Sequence, residues 1–197
     1  MDLKDITKEY KKYRWFFTSS NKLVIGGKSA AQNDELLKKL KSANQELLVM
    51  HTALPGSPFS IILSPINQLI ESDKEETAIF TGCFSRAWKQ RKSKTHVDLF
   101  LLSSLSKSKG IKTGSWLVKQ KLERKTVVLE LALTKQKDTL RAVPIKIPKK
   151  NQIILKIKPG KLDKTNALSK LQVEATQPLS QNEVLSALPS GGISILR

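Results

Sequence analysis

The sequence predicts an α+β protein, a mixed sheet with flanking helices, and three observations indicate this fold class. Short apolar segments of strand length alternate with amphipathic segments of helix length in the first half of the chain. Capping boxes of the Ser-x-x-Gln or Ser-x-x-Glu type begin at Ser29, Ser72 and Ser180. After residue 96, apolar positions are typical of β structure. We therefore expect one compact domain over residues 1–143 and a small αβ extension over residues 144–197 packed on it.

The elements of the first half follow from hydrophobic spacing. Ile6, Tyr10 and Tyr13 recur at helical intervals, and Phe80, Phe84 and Trp88 do the same further along. The pattern predicts, in order, a helix at 3–13, strands at 15–17 and 23–25, a helix after Ser29, strands at 47–50 and 59–63, and a helix at 73–90.

The second half is predicted to contain more strand. We expect a strand at 97–102, a mobile polar loop at 103–114, and a hairpin of residues 115–119 with 125–133. A strand at 153–157 should be followed by a helix that Asp163 caps and that carries Leu168 and Leu171. A last helix should follow Ser180, with Leu179 and Val184 at staple spacing.

The charge is the most unusual feature of the composition. Lys and Arg number 35 against 17 Asp and Glu, so the 197-residue chain carries a formal net charge of +18. A polyanion relieves the self-repulsion of such a chain, and nucleic acid is the leading partner class. A lysine-rich solvated surface and an anionic membrane surface are the alternatives. Residues 86–125 hold twelve Lys or Arg and two acids, which favours a binding face over a solvated rim.

Several classes of protein do not fit the sequence. Cys83 is the only cysteine, which excludes a disulfide framework and fits a reducing compartment. The charged N-terminus resembles no signal peptide, and no apolar run reaches the ~20 residues of a membrane helix. We expect a soluble cytoplasmic protein. Two histidines and one cysteine give no structural zinc site, no phosphate-binding P-loop is present, and no cofactor or catalytic constellation is indicated.

Two short stretches carry polar residues where a ligand could bind. Gly26-Gly27-Lys28 lies between a strand and a helix, where backbone N–H groups and a cation suit a phosphate. Gln32 and Asn33 follow in the first helical turn and serve either as capping groups or as ligand contacts. His51 ends a buried strand beside Gly56-Ser57, as a ligand or catalytic residue or as a hydrogen-bonded structural group. Cys83 is most simply a small core residue.

Four motifs occur in the order WFFTSSNKLVIGGKSAAQN, LLVMHTALPGSPF, FSRAWK and GIKTGSWLV. With these motifs the chain resembles the NFACT-R family, the RNA-binding module of ribosome-associated quality control factors. The resemblance is strong over residues 11–114 and looser beyond them. Lys28 replaces the family's arginine, which keeps the charge but loses a bidentate fork, and Thr52-Ala53 replaces a small-acidic pair.

The resemblance implies a stand-alone RNA-binding module that binds tRNA or ribosomal RNA through phosphate contacts. Full-length factors carry further domains for which this chain has no room, so chain elongation is not expected of it. A ribosome or a quality control factor is a further expected partner, without a membrane and without DNA specificity. The predicted RNA-binding residues are Gly26, Gly27, Lys28, Gln32, Asn33, His51, Gly56, Ser57, Arg86, Lys89, Arg91, Lys92, Lys109 and Lys112.

Two other functions remain open from the sequence. One is a tRNA-modification-associated enzyme or accessory subunit, with His51 and Ser57, or Gln32 and Asn33, in its pocket. The other is a ribosome-docking subunit that uses the C-terminal extension to bind protein.

Overall fold

The computed structural model describes residues 3–43, 45–163, 165–166, 169 and 180–196. The predicted α+β class is confirmed, because helices pack against antiparallel sheets throughout the described chain. The helices are α1 (Leu3–Lys8), α2 (Ala30–Ser42), α3 (Glu71–Cys83), α4 (Arg86–Lys89) and α5 (Gln181–Ala187). The strands are β1 (Arg14–Phe17), β2 (Leu23–Gly26), β3 (Leu48–Thr52), β4 (Ser60–Ile62), β5 (Lys94–Leu101), β6 (Leu105–Ser106), β7 (Leu117–Val118), β8 (Glu123–Val128), β9 (Leu131–Gln136), β10 (Thr139–Pro144), β11 (Leu155–Leu162) and β12 (Ile193–Leu196).

Three sheets organise these strands. The main sheet has six strands in the order β1-β2-β4-β3-β5-β8, and the second sheet has four in the order β10-β9-β11-β12. All the pairings are antiparallel, and β6 with β7 forms a separate two-stranded ribbon. Helix α2 covers one face of the main sheet, while α3 covers the other and also packs against β10. The second sheet therefore shares a hydrophobic core with the main sheet through α3.

The second sheet also holds the outer edge of β1. The Nε–H of Arg141 on β10 donates to the carbonyl oxygen of Trp15 at 3.0 Å. The side-chain amide of Gln136 on β9 binds both the N–H and the carbonyl of Phe17, each at 2.8 Å. These bonds satisfy backbone groups that an edge strand would otherwise leave to water. The predicted limit between residues 143 and 144 falls inside β10, one residue before the strand ends.

Local sequence explains the start of α2. The hydroxyl of Ser29 accepts from the N–H of Gln32 at 3.2 Å, and Gln32 Oε1 accepts from the N–H of Lys28 at 2.7 Å. The predicted capping role of Ser29 is confirmed, whereas Gln32 binds the N–H one residue before the cap and not that of Ser29 itself, so the predicted capping box is only half formed. The predicted strands at 15–17, 23–25, 47–50 and 59–63 are also confirmed within one or two residues.

The single helix predicted at 73–90 is wrong. Helix α3 begins at Glu71, where Asp73 rather than Glu75 accepts from the backbone of Ile70 at 3.1 Å. The chain leaves helical geometry after Cys83, and α4 begins anew at Ser85, whose hydroxyl accepts from the N–H of Ala87 at 3.1 Å. Aromatic spacing stays regular across the break, so periodicity alone does not reveal it.

The predicted hairpin of 115–119 with 125–133 is also wrong. Strand β7 pairs with β6, and β8 pairs with β5 in the main sheet, whereas β9 belongs to the second sheet. The loop predicted as mobile at 103–114 contains β6 and is tied to α2, since Lys41 Nζ donates to the carbonyls of Leu102 at 3.1 Å and Leu105 at 2.6 Å.

The C-terminal helices are described in part. Leu168, Leu171 and Leu179 lie outside the described residues, so the helix after Asp163 and the staple at Leu179 stay predictions. Helix α5 starts after Ser180 as predicted, although the Ser180 side chain makes no capping bond. Among the described helices, none has the length and apolar character needed to cross a membrane.

Candidate nucleic-acid interface

An open cleft of about 690 Å³ lies where the turn after β2, the end of β3 and the start of α4 meet. The loop between β3 and β4 and the segment before β7 complete its walls. Nine of the fourteen predicted site residues line it: Gly27, Lys28, Asn33, His51, Gly56, Ser57, Arg86, Lys89 and Lys112. The other five lie outside the lining: Gly26, Gln32, Arg91, Lys92 and Lys109.

The charge of the cleft is strongly positive. Of the described residues, six Lys or Arg side chains line it and Asp98 is the one lining carboxylate. Asp98 is already neutralised, because Arg124 binds it through two nitrogens at 2.6 and 3.0 Å and Lys121 lies 2.7 Å away. The Arg124 hydrogen bond is the main cause that lowers the pKa of Asp98. The cleft therefore presents cations to a ligand and no free described carboxylate.

Two of the six cations, Arg14 and Lys121, were not among the predicted site residues. Arg14 lies opposite Gly26 in the β1–β2 pair, and its guanidinium stacks over the Phe84 ring at 4.9 Å. The antiparallel register of the two predicted strands is a signal that could have placed Arg14 beside the glycine turn. Burial lowers the pKa of Arg14.

Asn33 shapes the glycine turn from within. Its Oδ1 accepts from the N–H of Gly27 at 3.1 Å and from the N–H of Phe59 at 3.3 Å. A Cβ on Gly27 would lie 2.3 Å from that oxygen, so no larger residue fits. Because the N–H groups of Gly27 and Lys28 are bonded inside the chain, the turn offers a ligand the exposed side chain of Lys28 rather than its backbone.

Gly56 and Ser57 hold the facing wall in place. Gly56 has a φ of +108°, and its carbonyl accepts from the N–H of Arg86 at 2.7 Å at the start of α4. A Cβ on Gly56 would lie 3.1 Å from the Arg86 Cβ. The hydroxyl of Ser57 accepts from the N–H of Thr52 at 3.0 Å. Gly56 thus positions the start of α4 with the exposed Arg86, and Ser57 fixes the loop to the end of β3.

His51 is a partly buried neutral group in the floor of the cleft. Its Nδ1–H donates to the carbonyl of Thr52 at 2.7 Å, and its ring lies 4.5 Å from that of Phe59. Burial lowers the pKa of His51, with an opposing contribution from Asp98 on the neighbouring strand. Among the described residues, no hydrogen bond joins the His51 ring to the Ser57 hydroxyl, which instead accepts from the N–H of Thr52.

The wall that carries Lys112 is anchored on α2. Asp34 binds Lys107 and accepts from the Trp116 Nε1–H at 2.8 Å. Gly114, with a φ of +81°, approaches α2 so closely that a Cβ would lie 2.6 Å from the Cβ of Ala30. The described residues contain no cluster of three or more side chains that could hold a metal ion.

Residues 12–120, just over half of the chain, match the family model of the NFACT protein RNA-binding domain. The chain belongs to this family. All nine predicted residues in the cleft lie inside the matched segment, whereas β9–β12 lie outside it. The NFACT resemblance inferred from the sequence motifs is confirmed.

Relatives of this NFACT domain are much longer proteins. The archaeal Rqc2 homolog aRqcH of Methanocaldococcus jannaschii is 36% identical over 89 residues, which are 44% of this chain and 13% of that protein. The ribosome quality control complex subunit NEMF of Homo sapiens is 29% identical over 83 residues, 42% of this chain and 8% of its own length. The chain thus spans about one tenth of these relatives.

A solved structure shares the fold. It is the C-terminal part of the fibronectin/fibrinogen-binding protein from Streptococcus suis, with a TM-score of 0.50 and 22% identity. The match covers 72% of this chain and 47% of that one, which is more of this chain than the family model covers.

Proposed function

We propose that this NFACT domain binds tRNA or ribosomal RNA in ribosome quality control, and that it does so in the cleft. The observation that carries the proposal is the charge of the cleft: six lining cations and one carboxylate, which is already paired. The family name and the names of the relatives support RNA and ribosome-associated partners.

The exposed cations suit phosphate contacts. Lys28 projects from one wall, Arg86 and Lys89 from the opposite wall, and Lys112 from the anchored segment. Structured RNA is recognised mainly by its shape, its 2′-hydroxyls and its phosphates. We therefore expect modest sequence preference and a strong dependence of affinity on salt.

We propose binding rather than catalysis as the activity of the cleft. Ser57 accepts a backbone N–H and His51 donates to a backbone carbonyl, so each stabilises the chain itself. A nucleophile and its base need a mutual hydrogen bond in the reactive complex. Replacing His51 by Ala tests the point. If His51 is structural, the His51→Ala variant should have a lower melting temperature. If the protein is an enzyme that uses His51, the variant should lose turnover on RNA while it still binds RNA.

Crosslinking of the protein to RNA in cells, followed by sequencing, tests the choice of RNA. Crosslinks concentrated on tRNA or on a ribosomal stem would support the proposal and separate its two branches. A Lys28→Ala, Arg86→Ala double variant should lose those crosslinks, and Lys156→Ala, which changes an exposed lysine on β11 away from the cleft, should keep them. Crosslinks on neither class of RNA would contradict the proposal.

A further inference from the structure

Three cations from distant parts of the chain meet near the start of β1. Arg14 is the first residue of β1 and pairs with Gly26 at the end of β2. Lys28 lies two residues after Gly26 in the chain. Arg141 reaches the same place from β10, where its Nε–H binds the carbonyl of Trp15, the residue next to Arg14. The second sheet thus adds a cation to a corner of the cleft built by the family domain.

Among the residues that the structure describes, none of the three has a carboxylate partner. The ion pairs among the described residues involve other cations, so no described carboxylate lies within 4 Å of Arg14, Lys28 or Arg141. Burial and then repulsion from Arg14 lower the pKa of Arg141 to about 10. Burial, with repulsion from both arginines, lowers the pKa of Lys28. An anion placed among the three would relieve both effects.

Structural contacts use only part of these side chains. The guanidinium of Arg141 stacks over the Trp15 ring at 4.6 Å, and that of Arg14 stacks over Phe84 at 4.9 Å. A guanidinium has five N–H donors. Within the described chain, Arg141 commits one of them and Arg14 commits none. The donors of Arg14, which lines the cleft, are the kind that bind phosphate in pairs.

The positions of the three side chains assign them different tasks. Arg14 and Lys28 line the cleft, whereas Arg141 is 6% exposed and lies behind them. Arg14 and Lys28 are therefore the groups that can touch a ligand. Arg141 is a positioning residue, since it fixes the backbone of β1 and adds charge from behind.

We propose that this corner, the Arg14–Lys28–Arg141 cluster, binds the terminal phosphomonoester of an RNA in preference to an internal phosphodiester. A phosphomonoester carries about −1.5 to −2 charges at pH 7, against −1 for a diester, and it suits three unpaired cations better. The inference rests on the proposed RNA binding and names the part of the RNA that the corner recognises. It also makes the second sheet a part of the RNA-binding unit, although the family match ends before it.

Fluorescence anisotropy with one hairpin RNA in three forms tests the inference: a 5′-phosphate, a 3′-phosphate, or hydroxyls at both ends. One phosphorylated form should bind about tenfold more tightly than the hydroxyl form, as one added charge-assisted contact would give. Which of the two does so identifies the end. Arg141→Gln and Lys28→Gln should each abolish this preference, and Lys156→Gln should keep it.

The outcomes separate the two proposals. If wild-type protein binds all three RNAs equally, the terminal-phosphate inference is overturned while RNA binding stands. If it binds none of them, nor tRNA or rRNA, the proposed function falls as well. Melting temperatures are measured beside the affinities. If Arg141 is purely structural, Arg141→Gln should lower the melting temperature and leave unchanged the ratio of the affinities for the phosphorylated and hydroxyl RNAs. If Arg141→Gln fails to fold, the exposed Lys28→Gln variant decides the matter alone.

Discussion

Asn33 should be the residue on which the geometry of the glycine turn depends most. Its side-chain oxygen is shared by the N–H groups of Gly27 and Phe59, at 3.1 and 3.3 Å. Both donors belong to buried residues, and Asn33 itself is 7% exposed. Asn33→Ala would leave two backbone N–H groups without an acceptor beneath the cleft.

The expected loss of stability follows from the two orphaned donors. A buried donor left without a partner costs about 1–3 kcal/mol. Two of them, one at a longer distance, give a loss of about 2–4 kcal/mol in the free energy of unfolding. That is a large share of the ~5–15 kcal/mol that stabilises a typical domain. The turn would also release Lys28, so RNA affinity should fall on the order of threefold to tenfold.

Urea unfolding of wild type, Asn33→Ala and Gln32→Ala measures the effect. Gln32 is the matched control, because it accepts the N–H of Lys28 in a solvent-exposed hydrogen bond and its side chain is only partly buried, so water can replace it. Its removal should cost only about 0.5–1 kcal/mol. The reasoning is refuted if Asn33→Ala unfolds within 0.5 kcal/mol of Gln32→Ala, a margin of about the size of ordinary surface effects.

Two further predictions concern the facing wall and its floor. Gly56→Ala should lower the free energy of unfolding by about 1–3 kcal/mol, because φ is +108° and the new Cβ would press on Arg86. An unchanged urea midpoint would contradict this and show that the loop adapts freely. The Arg124 hydrogen bond is the chief cause that lowers the pKa of Asp98. The Asp98 carboxylate therefore makes its full contribution to stability above the unfolded-state pKa of ~3.9. That contribution is lost as the pH falls through the lower folded-state pKa. Asp98→Asn should therefore weaken the dependence of stability on pH between ~5 and ~2, and an identical pH profile in thermal melts would contradict this.

Short-range features of the fold could be predicted from the sequence. The β1–β2 strands and the helix cap at Ser29 depend on residues a few positions apart, and both were found where their patterns indicated. The sequence motifs also predicted many of the residues that line the cleft, among them Gly27, Lys28 and Arg86. Local propensity and tertiary structure agree in these segments.

Features that depend on distant contacts could not be predicted. Helix α4 restarts at Ser85 beside a carbonyl of Gly56, some thirty positions earlier in the chain. The apolar alternation over 125–133 looks like one strand, yet it divides between two sheets. Arg141 meets Trp15 across 126 positions, a contact that no local pattern contains. Tertiary packing decides each of these cases.

The central claim is that the cleft binds RNA through its unpaired cations, and the salt dependence of tRNA affinity tests it most directly. If about five phosphates are engaged, the logarithm of the association constant should fall with the logarithm of salt concentration at a slope of about −4 to −5, taking the duplex coefficient as a guide. Removing Lys28 and Arg86 together should make that slope shallower by about 2, and Lys156→Ala should leave it unchanged. A wild-type affinity that does not vary with salt, or a double variant with the wild-type slope, would contradict the account.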